Sequence, residues 1–407
     1  MLMTQTSPKR KSGKDIVIFC ATILVSLALW TSPAKSQSAP ESPSQPSDSG
    51  LDFDNLKPVP LFTTGMGFIV PFQGGQPNLD PLISPVILAP IGRNWLIESR
   101  DTFESDLATP PGSNAFRGTV EKEVDYLQLD YIASPYATIT FGRFLTPFGI
   151  YNERLYPIWI RDLQSDPLIL PLGVGPTNAG TGAMVRGGVA LNSKVTLNYA
   201  TYFSTLITNE TLSSSRMAGL RAGIFLPGPR LELGGSYQHL LQDDRSNSFG
   251  FHFAWQPPPI PLDIRGEYAR SSQGSGYWVE SAYRLTQAPV HQDFMGRIQL
   301  VGRMQEYFTG ANLDEAILPV NTKMFEFGLN YYFRDNLRFV SSFGRQFAPV
   351  ASDWWAGNRA PQFFRADTFD PSQGIYGGQA SAGGNMNVWT VGFTYRFVFP
   401  LGPGGVK

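Results

Sequence analysis

The sequence has one cysteine and three histidines among its 407 residues, and beyond residue 60 it has no apolar run long enough for a membrane-spanning helix. Cys20 lies inside an apolar N-terminal run, so a chain that loses this run has no thiol and no disulfide. The histidines, His239, His252 and His291, lie in three separate segments, and none has a second His or Cys at metal-ligand spacing. The sequence therefore predicts no metal, no cofactor and no catalytic group built on histidine.

Basic and acidic residues nearly balance, with 32 Lys and Arg against 33 Asp and Glu. This excludes the basic excess of a nucleic-acid-binding protein, so we predict no nucleic-acid partner. Hydrophobic residues make up 42% of the chain, which excludes a disordered protein. The 41 glycines, 29 phenylalanines and 16 tyrosines occur largely in short alternating segments, and this pattern indicates β-structure.

The N-terminus has the features of an export signal. Four basic residues precede an apolar run over residues 16–30, and the small residues of Ser32-Pro33-Ala34 follow at cleavage spacing. We predict a signal peptide over residues 1–34 and a Ser/Pro-rich flexible segment over residues 35–60. An uncleaved membrane anchor is the alternative, but the apolar run is short for a spanning helix.

Apolar and polar residues alternate with period two in many segments between residue 61 and residue 399. The clearest segment places Phe249, Phe251, Phe253 and Trp255 on one face, with Gly250, His252, Ala254 and Gln256 on the other. Strands of a membrane barrel need this pattern, because one face meets lipid and the other meets water. A single such strand would equally suit a soluble sandwich, but the number of aromatic-ended segments favours the membrane barrel.

The connections fall into two classes that alternate along the chain. Brief turns rich in Pro, Asn and Asp are predicted at residues 134–135, 192–194, 227–230, 256–261, 287–293 and 334–336, and long connections at 147–179, 309–322 and 348–385. Bacterial outer-membrane barrels have short periplasmic turns and longer external loops. The sequence thus predicts an all-β fold, a transmembrane antiparallel β-barrel of 16 strands over residues 61–399, with a C-terminal tail over 400–407. Fourteen strands is the alternative, because prolines interrupt the first hairpin.

Three motifs resemble the family of phosphate-selective porins of the O and P type. The first is Gly-x-x-x-x-Pro-Phe-Gly within residues 139–150, the second covers residues 276–285, and the third covers residues 327–336. The resemblance implies a sixteen-stranded porin in the lipid of the bacterial outer membrane, forming a homotrimer. It leaves the solute open, since the chain lacks a lysine cluster like that of the phosphate-type members.

A barrel of this size needs something to narrow its aqueous interior. The connection over residues 147–179 mixes aromatic residues with opposed charges, and we predict that it folds into the lumen as a constriction. The predicted constriction residues are Arg143, Glu153, Arg154, Arg161 and Asp162. An external cap or a packed surface loop is the alternative for this connection.

Strand periodicity also predicts charged residues on the inner wall. The predicted lumen arginines are Arg186, Arg221, Arg265, Arg297, Arg303, Arg338 and Arg396, and acidic residues fall on the same faces. Such a wall is typical either of an anion-preferring pore or of a solvated lumen stabilised by ion pairing.

The functional hypothesis is passive diffusion of small hydrophilic solutes or ions, with anion preference left open. A structural or adhesive barrel with a plugged lumen is the alternative, with residues 354–370 as surface contacts. An enzyme in the barrel wall is disfavoured, because no Ser-centred motif accompanies the scattered histidines.

Overall fold

The computed structural model describes residues 59–73, 76–108, 115–169, 179–207, 212–242, 245–272, 274–309, 321–347 and 385–401. Its strands are β1 Leu61–Gln73, β2 Gln76–Ile91, β3 Trp95–Ala108, β4 Arg117–Ser134, β5 Ala137–Leu145, β6 Ala179–Asn192, β7 Val195–Ile207, β8 Leu212–Leu226, β9 Leu231–Leu240, β10 Asn247–Trp255, β11 Leu262–Arg270, β12 Gly274–Arg284, β13 Ile298–Thr309, β14 Thr322–Arg334, β15 Leu337–Phe347 and β16 Met386–Pro400. The predicted signal peptide, most of the 35–60 segment and the tail beyond residue 401 lie outside the described residues and stay predictions.

The sixteen strands form one closed antiparallel barrel, which confirms the predicted fold. Each strand pairs with its neighbours in sequence, and β1 pairs with β16 to close the ring. Closure leaves no sheet edge exposed to lipid, where unpaired backbone groups would be costly.

The first hairpin is present, although prolines in β2 argued against it. The pairing of β2 with β3 skips Asp80-Pro81 and Ser84-Pro85, while the pairing with β1 continues through both pairs. Proline has no N–H to donate, and these two prolines sit where the ladder to β3 is interrupted. The interruption explains why the sixteen-strand prediction is correct and the fourteen-strand alternative is wrong.

The two ends of the barrel differ in their connections, as predicted. Most connections at the end that holds Leu61 and Pro400 are brief turns, including residues 92–94, 135–136, 193–194, 227–230 and 335–336. A short helical turn, Gln292–Met295, lies in the connection between β12 and β13 at this end. The long connections leave the opposite end, where residues 170–178, 310–320 and 348–384, and with them residues 354–370, lie outside the described part of the chain.

The two faces of the wall have opposite chemistry. Outward side chains such as Phe249, Phe251 and Phe327 are exposed, while His252 and Asn330 on the inner face are buried. Exposed aromatic rows around a closed barrel require lipid around them, so the protein crosses a membrane with its strands. None of the helices in the described part of the chain has the length and apolarity of a membrane-spanning helix.

Candidate functional site

The connection between β5 and β6 packs against inward side chains of many strands. We call its described part, residues 146–169, the β5–β6 segment. Its side chains of Phe148, Tyr151 and Leu168 are buried in one apolar cluster with Trp278 of β12 and Tyr307 of β13. This cluster is the largest group of buried apolar side chains among the described residues, and it fixes the segment to the wall by burial of apolar area.

Glu267 of β11 holds the start of the segment. Its carboxylate accepts the backbone N–H of Ile150 at 3.0 Å and of Tyr151 at 3.2 Å, and the indole N–H of Trp278 at 3.1 Å. The backbone N–H of Gly149 donates to Ser236 Oγ of β9 at 3.0 Å. Carboxylates bind backbone N–H groups strongly when both are buried.

The glycine of the Pro-Phe-Gly motif is required at this point. Gly149 has φ +63°, and a Cβ built on it would lie 1.2 Å from Glu267 Oε1. A side chain here would meet both a left-handed backbone and the anchoring carboxylate. The motif that carried the family resemblance therefore has a local reason in this chain, which is the close approach of the segment to β11.

Three buried arginines of the wall bind the middle of the segment. Arg265 Nη2 lies 2.7 Å from Asp162 Oδ2 and 2.6 Å from Glu280 Oε1. Arg303 donates to the carbonyl of Ser165 at 2.9 Å, and Arg338 donates to the carbonyl of Arg161 at 2.7 Å. We call Arg265, Arg303 and Arg338 the arginine row.

The arginine row is surrounded by more acidic groups than it can neutralise. Four carboxylates lie within 4.0 Å of its three guanidinium groups, those of Asp162, Asp263, Glu280 and Glu326. Burial raises the pKa of Asp162 to about 6, with Arg265 opposing this rise and Glu280 adding to it. The Asp162 carboxyl therefore changes its charge near pH 6.

A second charged group lies where the segment crosses β8 and β9. Arg221 of β8 donates to Glu153 and to the carbonyl of Gly149. Arg154 makes two hydrogen bonds to the Glu232 carboxylate, at 2.7 and 2.9 Å, and its side chain remains 38% exposed. Paired hydrogen bonds of this kind fix the orientation of the guanidinium plane.

A third charged group belongs to β3, β4 and β6. Arg186 lies 3.2 Å from Asp130, and its side chain is 37% exposed. Gln128 donates to Asp130 at 3.1 Å and to Glu98 at 3.2 Å. These side chains are bonded to one another across strands, and Arg186 keeps part of its guanidinium open to solvent.

Of the predicted constriction residues, the structure brings four into the β5–β6 segment and leaves one apart. The Arg161 guanidinium group lies 4.9 Å from the centre of the Tyr156 ring and pairs with Asp166 at 2.7 Å. Arg143 lies in β5, where its Nε donates to the carbonyl of Val124 and its guanidinium lies 3.8 Å from Glu123. Arg143 therefore belongs to the β4–β5 wall.

Of the predicted lumen arginines, Arg297 needs a correction. Strand β13 begins at Ile298, so Arg297 lies in the preceding connection and is exposed. Arg396 is inside β16 and is exposed near the barrel end that holds the short turns. The remaining five lie on inner faces, but four of them are largely buried: Arg221, Arg265, Arg303 and Arg338.

Sequence reasoning did not find the polar side chains that anchor the segment. Besides Glu267 and Ser236, Gln305 accepts the backbone N–H of Leu168 at 2.9 Å, and Asn330 donates to the carbonyl of Asp162 at 2.9 Å. Their inward positions follow from strand alternation, but partners 87 or more residues away along the chain do not. Among the described residues, no group of three or more His, Cys, Asp or Glu side chains could hold a metal ion.

No protein-family model and no curated protein sequence matches the chain. Solved structures do match: OprB of Pseudomonas putida at high pH has a TM-score of 0.54 at 8% identity, covering 84% of this chain and 94% of its own. OmpF of Salmonella typhi in complex with daunomycin has 0.52 at 11% identity, covering 83% and 97%. OmpT of Vibrio cholerae, described as outer-membrane expressed, has 0.51 at 9% identity, covering 84% and 99%.

At such low identity these similarities establish the fold alone. They do not confirm the resemblance to the phosphate-selective porins. The similar structures are outer-membrane barrels, and the closed ring of sixteen strands with its apolar outer face agrees with them. The chain is thus a multi-pass β-barrel protein of the outer membrane.

Proposed function

We propose that this barrel is a porin for passive diffusion of small hydrophilic solutes or ions, and that the β5–β6 segment narrows its pore. The observation that carries the proposal is the spread of the segment's partners around the ring. Its hydrogen bonds and ion pairs reach β8, β9, β11, β13, β14 and β15. A ring of sixteen strands encloses an aqueous channel, and a segment bonded to so many inner faces occupies part of its cross-section.

Contacts with β1 and β3 support the same proposal. The Trp159 ring lies where a Cβ on Gly65 of β1 would be, and Tyr156 stacks with Arg100 of β3 at 5.1 Å. Partners on β1 and on β9 stand on distant parts of the ring, so the segment spans the interior between them. The external cap is disfavoured, because a cap would contact the rim and leave inner faces such as that of Gly65 free.

The exposed charges favour anions among the permeating solutes. Arg154 and Arg186 are the two inward arginines of the charged groups described above with more than a third of the side chain exposed, while their partners Glu232 and Asp130 are 12% and 3% exposed. In these two pairs a solute in the lumen therefore meets the guanidinium group more than the carboxylate. Rings of positive side chains select anions.

Deleting residues 151–164 tests the narrowing. The deletion removes the contacts with Glu232, Arg265 and Arg338, so single-channel conductance in planar bilayers is expected to rise several-fold. The matched control removes residues 311–320 from the β13–β14 connection, which is also at the end with long loops. A folded deletion variant with unchanged conductance would refute the constriction.

A plugged structural or adhesive barrel is the second candidate, because dense contacts between a segment and the wall also suit a plug. Planar-bilayer recording of the unmodified protein separates the two functions. A porin gives ohmic steps whose size scales with salt concentration. A reconstituted barrel that gives no conductance steps would contradict the porin proposal and favour the plugged structural or adhesive barrel.

We propose the homotrimer as the assembly of this porin, embedded in outer-membrane lipid. The motifs over residues 139–150, 276–285 and 327–336 support it, since the porins they resemble are trimeric. Closed rotational symmetry is the common form of such assemblies. Light scattering combined with refractive index, in a mild detergent, measures the number of chains.

A further inference from the structure

The outward face of strand β3 carries a carboxylate midway along its length. Arg100 and Thr102 are each 3% exposed and point into the barrel, where both bond to Asp125. Because side chains alternate along a strand, Asp101 between them faces outward. The hydroxyl of Ser99 donates to Asp101 Oδ2 at 3.4 Å, so these two side chains lie on the same outward face.

Asp101 lies at the depth of the hydrocarbon core. Trp95 begins β3 at the barrel end with the short turns, and its ring lies 4.6 Å from that of Tyr131, as in the aromatic girdles at membrane interfaces. Asp101 comes six residues later in the same strand. At about 3.4 Å per residue and a strand tilt of about 40°, it lies roughly 15 Å above that girdle. The apolar band of such barrels is about 25 Å tall, so this position is remote from both of its borders.

The neighbouring strand adds a charge of the opposite sign to this face. Lys122 of β4 is exposed, and its Cα pairs with that of Phe103, the next outward residue of β3 after Asp101. We call the outward residues Ser99, Asp101 and Lys122 the Asp101 patch. It contains one acid, one base and one hydroxyl on a surface that faces the membrane.

The opposite part of the ring shows what a lipid-facing strand of this protein looks like. From Phe249 to the end of β10 every outward residue is aromatic: Phe249, Phe251, Phe253 and Trp255. Strand β14 repeats this pattern with Phe325 and Phe327. Strand β3 departs from it at Ser99 and Asp101, in the middle of the bilayer, where a charged side chain facing lipid destabilises a barrel.

We propose that the Asp101 patch is a self-association surface, covered in the membrane by a second copy of this chain. A second copy fits the charges, because every copy supplies both an Asp101 and a Lys122, and the carboxylate of one can meet the ammonium group of the other. Contact between identical chains also removes both groups from lipid at once. This inference rests on the proposed homotrimer and gives it a surface.

The first test substitutes the carboxylate and measures the mass of the complex. In Asp101→Leu the barrel is expected to fold and to run as a single chain in mild detergent, while the unmodified protein runs as an oligomer. The control is Ser341→Leu, an outward serine on β15 among aromatic residues, which should leave the oligomer intact. An oligomer of unchanged mass in Asp101→Leu, or an unmodified protein that is a single chain, would overturn the proposal.

The second test reads the environment of the patch without perturbing Asp101. A nitroxide is attached to Ser99→Cys in a Cys20→Ser background of the full chain, reconstituted in phosphatidylcholine vesicles. A self-association surface predicts an immobilised label that is shielded from oxygen and broadened by a label on a neighbouring copy. A mobile, oxygen-accessible label indicates lipid contact, and a shielded label without broadening indicates another protein; either result contradicts the proposal. Neither readout depends on conductance, so a failure here is separate from a failure of the porin function.

Discussion

The inner wall of β11–β15 and that of β4–β6 present the same residue types with opposite consequences. In the first region Arg265, Arg303 and Arg338 have side chains only 10%, 1% and 6% exposed, and each binds carboxylates or carbonyls at the β5–β6 segment. In the second region Arg186 is 37% exposed beside Asp130. Counting inward arginines therefore does not give the charge that a solute meets. Inward arginines that the β5–β6 segment covers are buried and bind it, whereas Arg186, which it does not cover, is exposed.

The largest effect on the difference between buried and exposed arginines is expected when the β5–β6 segment is released from Glu267. Glu267→Leu leaves the N–H groups of Ile150, Tyr151 and Trp278 without their buried acceptor. Each buried unpaired donor costs about 1–3 kcal/mol, so the free energy of unfolding is expected to fall by about 3 kcal/mol or more. Urea unfolding in lipid vesicles, followed by tryptophan fluorescence, measures it.

The same variant is expected to conduct more than the unmodified protein, because a freed segment covers less of the lumen. Its control is Glu98→Leu, a substitution of an inward glutamate on β3 that bonds to Gln128 and not to the segment. Equal conductance in Glu267→Leu and the unmodified protein would show that Glu267 does not hold a constriction.

The next largest effect is expected from the arginine row. Arg303→Gln leaves Glu280 and Glu326 buried without their shared guanidinium, and breaking a buried ion pair in this way costs about 3–5 kcal/mol. Ion preference should change little where the barrel remains folded, since Arg303 is 1% exposed. The measurement pairs urea unfolding with the reversal potential under a salt gradient. A large shift in reversal potential with unchanged stability would show that Arg303 acts on permeating ions and does not stabilise the fold.

The exposed arginines should show the opposite response. Arg154→Gln and Arg186→Gln together are expected to lower the anion-to-cation permeability ratio about two- to five-fold, because the exposed positive charge of the lumen is lost. Stability should change by less than about 1 kcal/mol for each substitution, as expected of partly exposed ion pairs. The matched control is Arg396→Gln, an exposed arginine near the barrel end. A cation preference in the unmodified protein would defeat the anion hypothesis outright.

The barrel itself could be predicted from the sequence because its causes are local. Alternation in β10 and β14 follows from lipid on one side, and the turn at 335–336 follows from its Asp-Asn composition. The division of the arginines could not be predicted, because it depends on where one connection packs. Arg186 and Arg303 have the same strand periodicity, and only the partners of residues 146–169, more than a hundred residues away for Arg303, tell them apart.

Position along the strand also limits what alternation can predict. The alternation includes Arg297, one residue before β13, and there the side chain lies exposed in the connection and not in the wall. At β2 the prolines suggested a break, but they coincide with the two gaps in the ladder to β3. Both cases depend on hydrogen-bond pairing between strands, which a single sequence does not contain.

The smallest expected effect concerns pH and the surplus carboxylate of the arginine row. Burial raises the pKa of Asp162 to about 6 from the model-compound value of 3.8, so the folded protein binds this proton more tightly than the unfolded chain. The contribution of Asp162 to stability is therefore least favourable above pH 6, and it improves as pH falls from about 6 towards 4.

Over the same range the lumen loses one negative charge, so anion preference should rise modestly between pH 7 and pH 5. Asp162→Asn keeps an oxygen for Arg265 and should flatten both pH profiles, measured by reversal potential and by urea unfolding. If the pH profiles of that variant keep the same slope, the titrating group is not Asp162, and Asp162 does not contribute to the charge of the pore.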